Sequence, residues 1–427
     1  MLKQTLFPIW SLLFGIALLT MASALQSSLI GIRASIESFN TTATGLIMSS
    51  YYLGFIIGSL LVPNWVRNVG HIRVFAAVAS LASITILMQS VVVNPWFWML
   101  MRMGTGLCYA GLFIVTESWL NEISTNKTRG RLFSIYIIEI WASQTLGQFM
   151  LNLSPPSGYG LFILTSVLIS LALVPLLLVR TPSPTINIPE KLNILGLIKT
   201  APLGVTGVTI AGVTSGALMG LGALYAKSIG MNIAEISLFV GASYVGGMLL
   251  QWPIGKLSDR QDRRVTILWV SIVGAIAAFV VPLGNSMDNR IIMMAGMFAV
   301  GAFTFPMYSL ASSHMNDQLR PEQILSASSG MILLNGVGGI LGPLTAGAFM
   351  DTIQIDALFW FIAAFNATVS LFALYRIQYQ PAMIIEDQGD QIPVALTVSS
   401  VATAEMLVEA DSSITPLEES HEIEIKL

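Results

Sequence analysis

The sequence predicts an all-α polytopic membrane protein of twelve transmembrane helices in two sets of six. Three observations carry that reading. Only 10% of the side chains are charged and 54% are apolar, against roughly 25% charged in soluble domains, and the mean hydropathy is +0.75. Uncharged runs recur along residues 9–376, each close to the ~20 residues a helix needs to cross a hydrocarbon core of roughly 30 Å. The basic residues collect in alternate loops, as topology requires of a chain threading back and forth. Buried helices of a large soluble protein are shorter and amphipathic, so that class is set aside.

The spans read, in order, 9–30, 44–63, 73–93, 96–118, 133–153 and 159–180, then 203–226, 236–255, 265–284, 290–312, 326–350 and 357–376. They are helices, because the runs lack the alternation of a barrel strand and are about twice its length. The first run resembles a secretory leader, but it is longer than a leader's apolar core and further spans follow. Spans three and four are parted only by Asn94-Pro95, a turn signal, and together are too long for one crossing. After span six comes the longest internal loop, TPSPTINIPEKLNILGLIKTAP, with Pro182, Pro184, Pro189 and Pro202. It divides a first half, 1–180, from a second, 203–379, leaving 181–202 as a linker. Transporters are often built from such repeated halves. Residues 380–427 form an acidic tail, with 10 of the 23 acidic residues at or after Glu386. The tail is too polar to build a core and reads as disordered.

With the N-terminus in the cytoplasm, sixteen of the 20 Lys and Arg residues fall on the inner side. Arg33, Lys227 and Arg290 fall outside, and Arg102 lies within a span. That asymmetry predicts that both termini are cytoplasmic. The single cysteine, Cys108, excludes an intrachain disulfide and a thiolate cluster. His71, His314 and His421 lie in separate segments, and no HExxH, P-loop or dinucleotide fingerprint appears. No metal, no cofactor and no enzymatic constellation is therefore expected.

The loop after span eight is the densest in charge: Gly255-Lys256-Leu257-Ser258-Asp259-Arg260-Gln261-Asp262-Arg263-Arg264. It resembles the G-x-L-x-D-R-x-G-R-R loop of the major facilitator superfamily, with Asp262 in the second glycine's place. That family carries the loop between spans two and three and again between eight and nine. Here the first copy runs from Pro63 to Arg73. Gly70 and Arg73 fit, while Arg67 stands at the acidic position and Pro63 at the first glycine. The resemblance implies a cytoplasmic gate of Gly255, Asp259, Arg260, Arg263, Arg264, Gly70 and Arg73. Gly255 would admit a neighbouring helix, and Asp259 would accept hydrogen bonds from a helix N-terminus or from Arg263. In span four, Arg102 to Ala110 is similar to the family's R-x-x-Q-G-x-x-x-A pattern, with Thr105 in the glutamine slot. The segments GQF, QWPIGKLSDR and GGILGPLTAGAFMD resemble the YcaD-like bacterial branch. Span five, WASQTLGQFML, lacks the proline typical of drug antiporters.

Charge inside a span costs about 2.5–3.5 kcal/mol on insertion scales and is read first as function. Arg102 either faces a central cavity, binding an anion or tuning a proton-carrying carboxylate, or pairs structurally. Glu139 either carries the coupling proton or forms a structural pair. Glu117, near the inner end of span four, either joins the site or sits at the interface. Fifteen residues set Arg102 and Glu117 about 60° apart around the helix and about 22 Å apart along it, too far to pair. In the family, spans one, four, seven and ten line the cavity, which singles out Gln26, Arg102, Tyr109, Tyr225 and Tyr308. Tyr51, Gln144, Gln148, Tyr244, Gln251 and Asn335 are further polar candidates in spans. The resemblance implies a secondary active transporter working by alternating access, with protons as the coupling ion. Its partners would be a small neutral, amphipathic or weakly anionic solute, protons and membrane lipids, with no nucleic acid and a monomeric chain. The competing reading is a transporter-derived sensor or scaffold that signals through the acidic tail.

Overall fold

A backbone in hydrocarbon has no water to bond, so every spanning segment must satisfy its own N–H and C=O groups. The computed structural model describes residues 2–123, 129–178 and 194–379. The tail at 380–427 and linker residues 181–193 lie outside the described residues. The helices are α1 (Leu2–Ile36), α2 (Thr41–Val69), α3 (His71–Val91), α4 (Pro95–Ile123), α5 (Arg129–Phe149) and α6 (Gly160–Leu178). A short α7 (Ile194–Thr200) precedes α8 (Pro202–Ser228), α9 (Ile233–Ser258) and α10 (Arg263–Ser286). Then come α11 (Arg290–Thr304), α12 (Pro306–Asn316), α13 (Pro321–Thr352) and α14 (Ala357–Tyr379). No strand occurs among the described residues.

Ten helical rods among the described residues are long and apolar enough to cross a membrane, counting α11 and α12 as one. α5 and α6, which the sequence also reads as spans, are not among the ten. α5 carries Glu139 together with Ser143, Gln144 and Gln148, and α6 is a 19-residue helix, Gly160–Leu178. The linker expected to be irregular through 202 contains α7 at its end. The single span expected over 290–312 is broken, because Pro306 has no N–H to continue the helix.

Polar caps stop the rods. Asn94 accepts from the backbone N–H groups of Trp96 (3.0 Å) and Phe97 (3.2 Å), and Pro95 opens α4. Asn232 and Glu235 form a reciprocal capping box at the start of α9, at 3.0 and 2.8 Å.

The helices pair in a pattern that occurs twice. In the first set α1 packs on α5 and α6, α3 on α4 and α6, and α2 on α4. In the second, α8 packs on α13 and α14, α10 on α11 and α14, and α9 on α11. Across the two sets α2 meets α13, α5 meets α9 and α1 meets α8. Lipid tails are as apolar as leucine, so helices in a bilayer associate through small residues and close packing. The α2–α13 seam follows this rule: a Cβ on Gly45 would collide with the Pro343 carbonyl, and one on Gly347 would stand 2.6 Å from the Thr41 carbonyl. Thr41 Oγ1 donates to the Gly347 carbonyl (2.8 Å), Thr42 Oγ1 to Asp351 (2.8 Å) and Ser49 Oγ to the Ile340 carbonyl (2.6 Å). Ser27 Oγ, on α1, donates to the Met219 carbonyl on α8 (3.0 Å). These contacts gather at the end of the bundle where α1 finishes, here termed the Arg33 end. The opposite end carries the loop around Arg263.

Replacing Gly45 by Val is expected to part this seam. In a Cys108→Ser background, cysteines placed at Thr42 and Asp351 should cross-link readily, and Gly45→Val should abolish most of that yield. An unchanged yield would show that the seam does not depend on backbone contact at Gly45.

Candidate functional site

Between the two helix sets lies a cavity of about 940 Å³, counting the space at its mouth. Both sets build it. α2 supplies Met48, Tyr51, Tyr52 and Phe55, and α9 and α12 face these with Tyr244 and Tyr308. Polar groups come from Gln144 on α5, Asn335 on α13 and serines of α1 and α8. Arg102 of α4 is the one charged side chain in the lining.

Local sequence sets the position of Arg102. It lies two turns into α4 from the Asn94 cap. The glycine of the R-x-x-T-G pattern, Gly106, and Gly54 on α2 let the two backbones touch: a Cβ on Gly106 would strike the Tyr51 carbonyl, and one on Gly54 that of Met103. That approach lays the guanidinium over the Tyr51 ring, 4.8 Å from its centroid. Arg102 Nη2 lies 3.9 Å from Met48 Sδ, and Nε is buried with no hydrogen-bond partner. The residue is 5% exposed and has no ion-pair partner among the described residues. Thr105 turns away from the cavity, bonding Thr85 Oγ1 (2.9 Å) and the Met101 carbonyl (2.9 Å).

Of the residues the sequence singles out, Arg102, Tyr308, Tyr51, Gln144, Tyr244 and Asn335 line the cavity. Tyr109 sits behind Tyr51, their rings 6.4 Å apart, and its hydroxyl donates to the Leu19 carbonyl (3.3 Å). Gln26 donates to Gln89 (3.3 Å) inside the first set. Tyr225 donates to Asp356 (2.7 Å), stacks on Phe239 and meets Phe359 edge-on, near the Arg33 end of the second set. Glu117 is fully buried and accepts from the Tyr136 hydroxyl (2.7 Å). Glu139 accepts from Ser143 (3.1 Å) through Oε1, while its Oε2 is buried without a partner. Neither carboxylate belongs to the cavity lining. Tyr52 and Phe55 escape sequence reasoning. The run Tyr51-Tyr52-x-x-Phe55 was their signal, since rings at i, i+1 and i+4 crowd one side of a helix.

The two charged loops fold differently. In the second, Arg263 is 1% exposed, with Nε 2.9 Å from Asp317 and Nη2 3.4 Å from Asp259. Asp262 caps α10, accepting from the Arg264 backbone N–H (2.9 Å) and pairing with its guanidinium (2.7 Å). Burial pushes the Asp262 carboxyl up, but the bonds and charge of Arg264 outweigh it and hold the carboxyl below its ordinary value. Its φ of −55° explains why no glycine is needed there. Gly255 is buried and Arg260 exposed. In the first loop Gly70 takes φ 89° and ψ 158°, a region open to glycine alone, and Arg67 and Arg73 are exposed. Among the described residues no group of His, Cys, Asp and Glu could hold a metal ion.

Comparison with known proteins adds to this geometry. The profile described as Major Facilitator Superfamily matches residues 12–323 and again 203–407. The uncharacterised MFS-type transporter YcaD of Salmonella typhi is 29% identical over 379 residues, covering 88% of this chain and 97% of the relative. An MFS-type transporter of Enterobacter sp. (strain 638) is 28% identical, covering 88% and 98%. Among solved structures, the nucleoside transporter NupG superposes with a TM-score of 0.73 at 14% identity, over 87% of this chain and 100% of that one. The E. coli xylose transporter XylE, in a partially occluded inward-open conformation, gives 0.66 at 13% identity, over 89% and 99%. At such identities the likeness is one of fold.

Two substitutions weigh the loops. Arg263→Met takes the Arg263 guanidinium away from buried Asp317 and is expected to destabilise by more than about 1 kcal/mol, whereas exposed Arg73→Met should stay within about 0.5 kcal/mol. Gly70→Ala meets no neighbour, so only its backbone conformation is penalised, by about 1–3 kcal/mol. Thermal unfolding in one detergent reads all three, and equal shifts for Arg263→Met and Arg73→Met would refute the embedded role of Arg263.

Proposed function

We propose that this chain, which belongs to the major facilitator superfamily and has YcaD-type transporters among its relatives, moves a small solute across the inner membrane by alternating access, coupled to protons. The observation that carries this reading is a cavity walled by both helix sets, with the glycine seam joining those sets at the Arg33 end. α5 and α6 complete twelve spans. Residues 1–180 and 203–379 are the two halves, joined by the linker at 181–202 and followed by the tail at 380–427. The twice-repeated pairing pattern supports the halves. The sixteen-to-three asymmetry of basic residues supports cytoplasmic termini, which makes the Arg263 end cytoplasmic. The shape is then the inward-facing state of a monomer, and transport needs the seam to part while the charged loops close. For the proton, Glu139 has the required features. Its carboxylate sits within a helix that runs beside α9, with one oxygen bonded to Ser143 and the other buried and unpartnered.

Inside-out vesicles with and without the protein, energised by a pH gradient, test the reading when their contents are compared by untargeted metabolite analysis. At least one solute should accumulate only with the protein, and Arg102→Gln and Glu139→Gln should each cut that accumulation tenfold or more. Unchanged accumulation in both variants would remove these residues from the mechanism.

A further inference from the structure

We infer that the cavity receives an organic monoanion, a carboxylate on an aromatic or amphipathic body, with Arg102 as its counter-charge. The inference rests on the transport reading and names the class of solute. A guanidinium keeps its proton in proteins and carries five N–H donors in a fixed fork. At Arg102 that cation is buried, and no carboxylate answers it among the described residues. The acids inside the helices are occupied elsewhere: Glu117 takes the Tyr136 hydroxyl and Glu139 takes Ser143, both outside the cavity lining.

What Arg102 does have is insufficient. The Tyr51 ring at 4.8 Å supplies a cation–π attraction, but it accepts no in-plane hydrogen bond. The Met48 sulfur at 3.9 Å is a weak acceptor. Nε remains unpartnered, and an uncompensated buried charge is costly. A carboxylate supplies both missing things, a negative charge and two oxygens at the spacing of the fork.

The rest of the cavity sets the body of the ligand. Among the described residues the lining holds one cation, Arg102, so a second negative charge would be buried uncompensated. The walls formed by Tyr52, Tyr244 and Tyr308 offer ring faces to an apolar or aromatic group. Gln144, whose Oε1 is buried without a partner, offers an acceptor to a hydroxyl or N–H on the same molecule.

The test uses the purified full chain in detergent and charge-matched probes: 3-phenylpropionate, its primary amide and 3-phenylpropylamine, with hexanoate, hexanamide and hexylamine as the aliphatic series and sodium chloride as control. Thermal stabilisation should appear with the carboxylates at concentrations at least tenfold below those of the amides, and not with the amines. Arg102→Gln should raise the half-saturating carboxylate concentration at least tenfold, with Arg102→Lys in between. The native-chain series decides the matter even where a variant fails to fold. The inference falls if amides or amines bind as well as carboxylates, if no carboxylate stabilises, if Arg102→Gln binds them like the native chain, or if chloride alone stabilises equally. Amide-selective binding alongside solute accumulation in vesicles would sink the anion assignment and leave transport standing. Carboxylate binding without any accumulation would do the reverse.

Discussion

Backbone contact along α2 is the constraint on which the rest of this molecule depends. Gly54 and Gly106 bring α2 against α4, and Gly45 and Gly347 bring the same helix against α13. Neither approach tolerates a side chain. Between those two contacts α2 turns Tyr51, Tyr52 and Phe55 into the cavity. One rod therefore holds the first set together, seals the Arg33 end and carries the ring that receives Arg102. On the alternating-access reading these roles are coupled. The α2–α4 contact lies within the first set and can persist, while the α2–α13 contact crosses the sets and must be remade in each cycle.

Much of the fold was legible because hydrocarbon leaves few choices. Apolar runs bounded by charge gave helix positions within a few residues, and Asn94-Pro95 marked a real turn because Asn94 caps the helix that Pro95 opens. The failures share a cause. Hydropathy is blind to helices that run on into polar ends, so α13 begins at Pro321 rather than 326. It also misses helix in a polar segment, as in α7, and a break inside an apolar run, as at Pro306.

The site was less legible, for a reason visible in particular residues. Arg102 stood out because a charge in an apolar run has few structural uses. Gln26, Tyr109 and Tyr225 are as polar as the residues that reach the cavity, yet each donates a hydrogen bond inside its own helix set, to Gln89, the Leu19 carbonyl and Asp356. Which way a tyrosine points depends on the neighbour its helix acquires. That neighbour is fixed by small residues far along the chain: Gly339, against the Tyr52 ring, lies nearly three hundred residues away.

The two charged loops show how one motif can serve unequal duties. In the second set Arg263 stands between Asp259, which caps α9, and Asp317, which caps α12, and it begins α10 itself. Three helix ends are thereby bound into one unit, with Arg264 reaching the Arg376 carbonyl on α14 at 3.2 Å. Among the described residues the first set has no equivalent at Arg67 and Arg73, which are exposed, and it instead turns on Gly70. The second set is thus tied at its Arg263 end by charge, and the first by a backbone conformation. If both move as bodies, the difference in energy between the two states resides in the seams between them. One such seam is already polar. Trp141 on α5 donates to Gln251 on α9 at 2.9 Å, and Gln251 donates in turn to Ser309 on α12 at 3.3 Å. A hydrogen bond shielded from water is costly to leave unmade, so rocking must exchange this bond for another rather than discard it. On the proton-coupled reading proposed above, the α5–α9 seam, beside the helix that carries Glu139, would be where protonation biases the equilibrium.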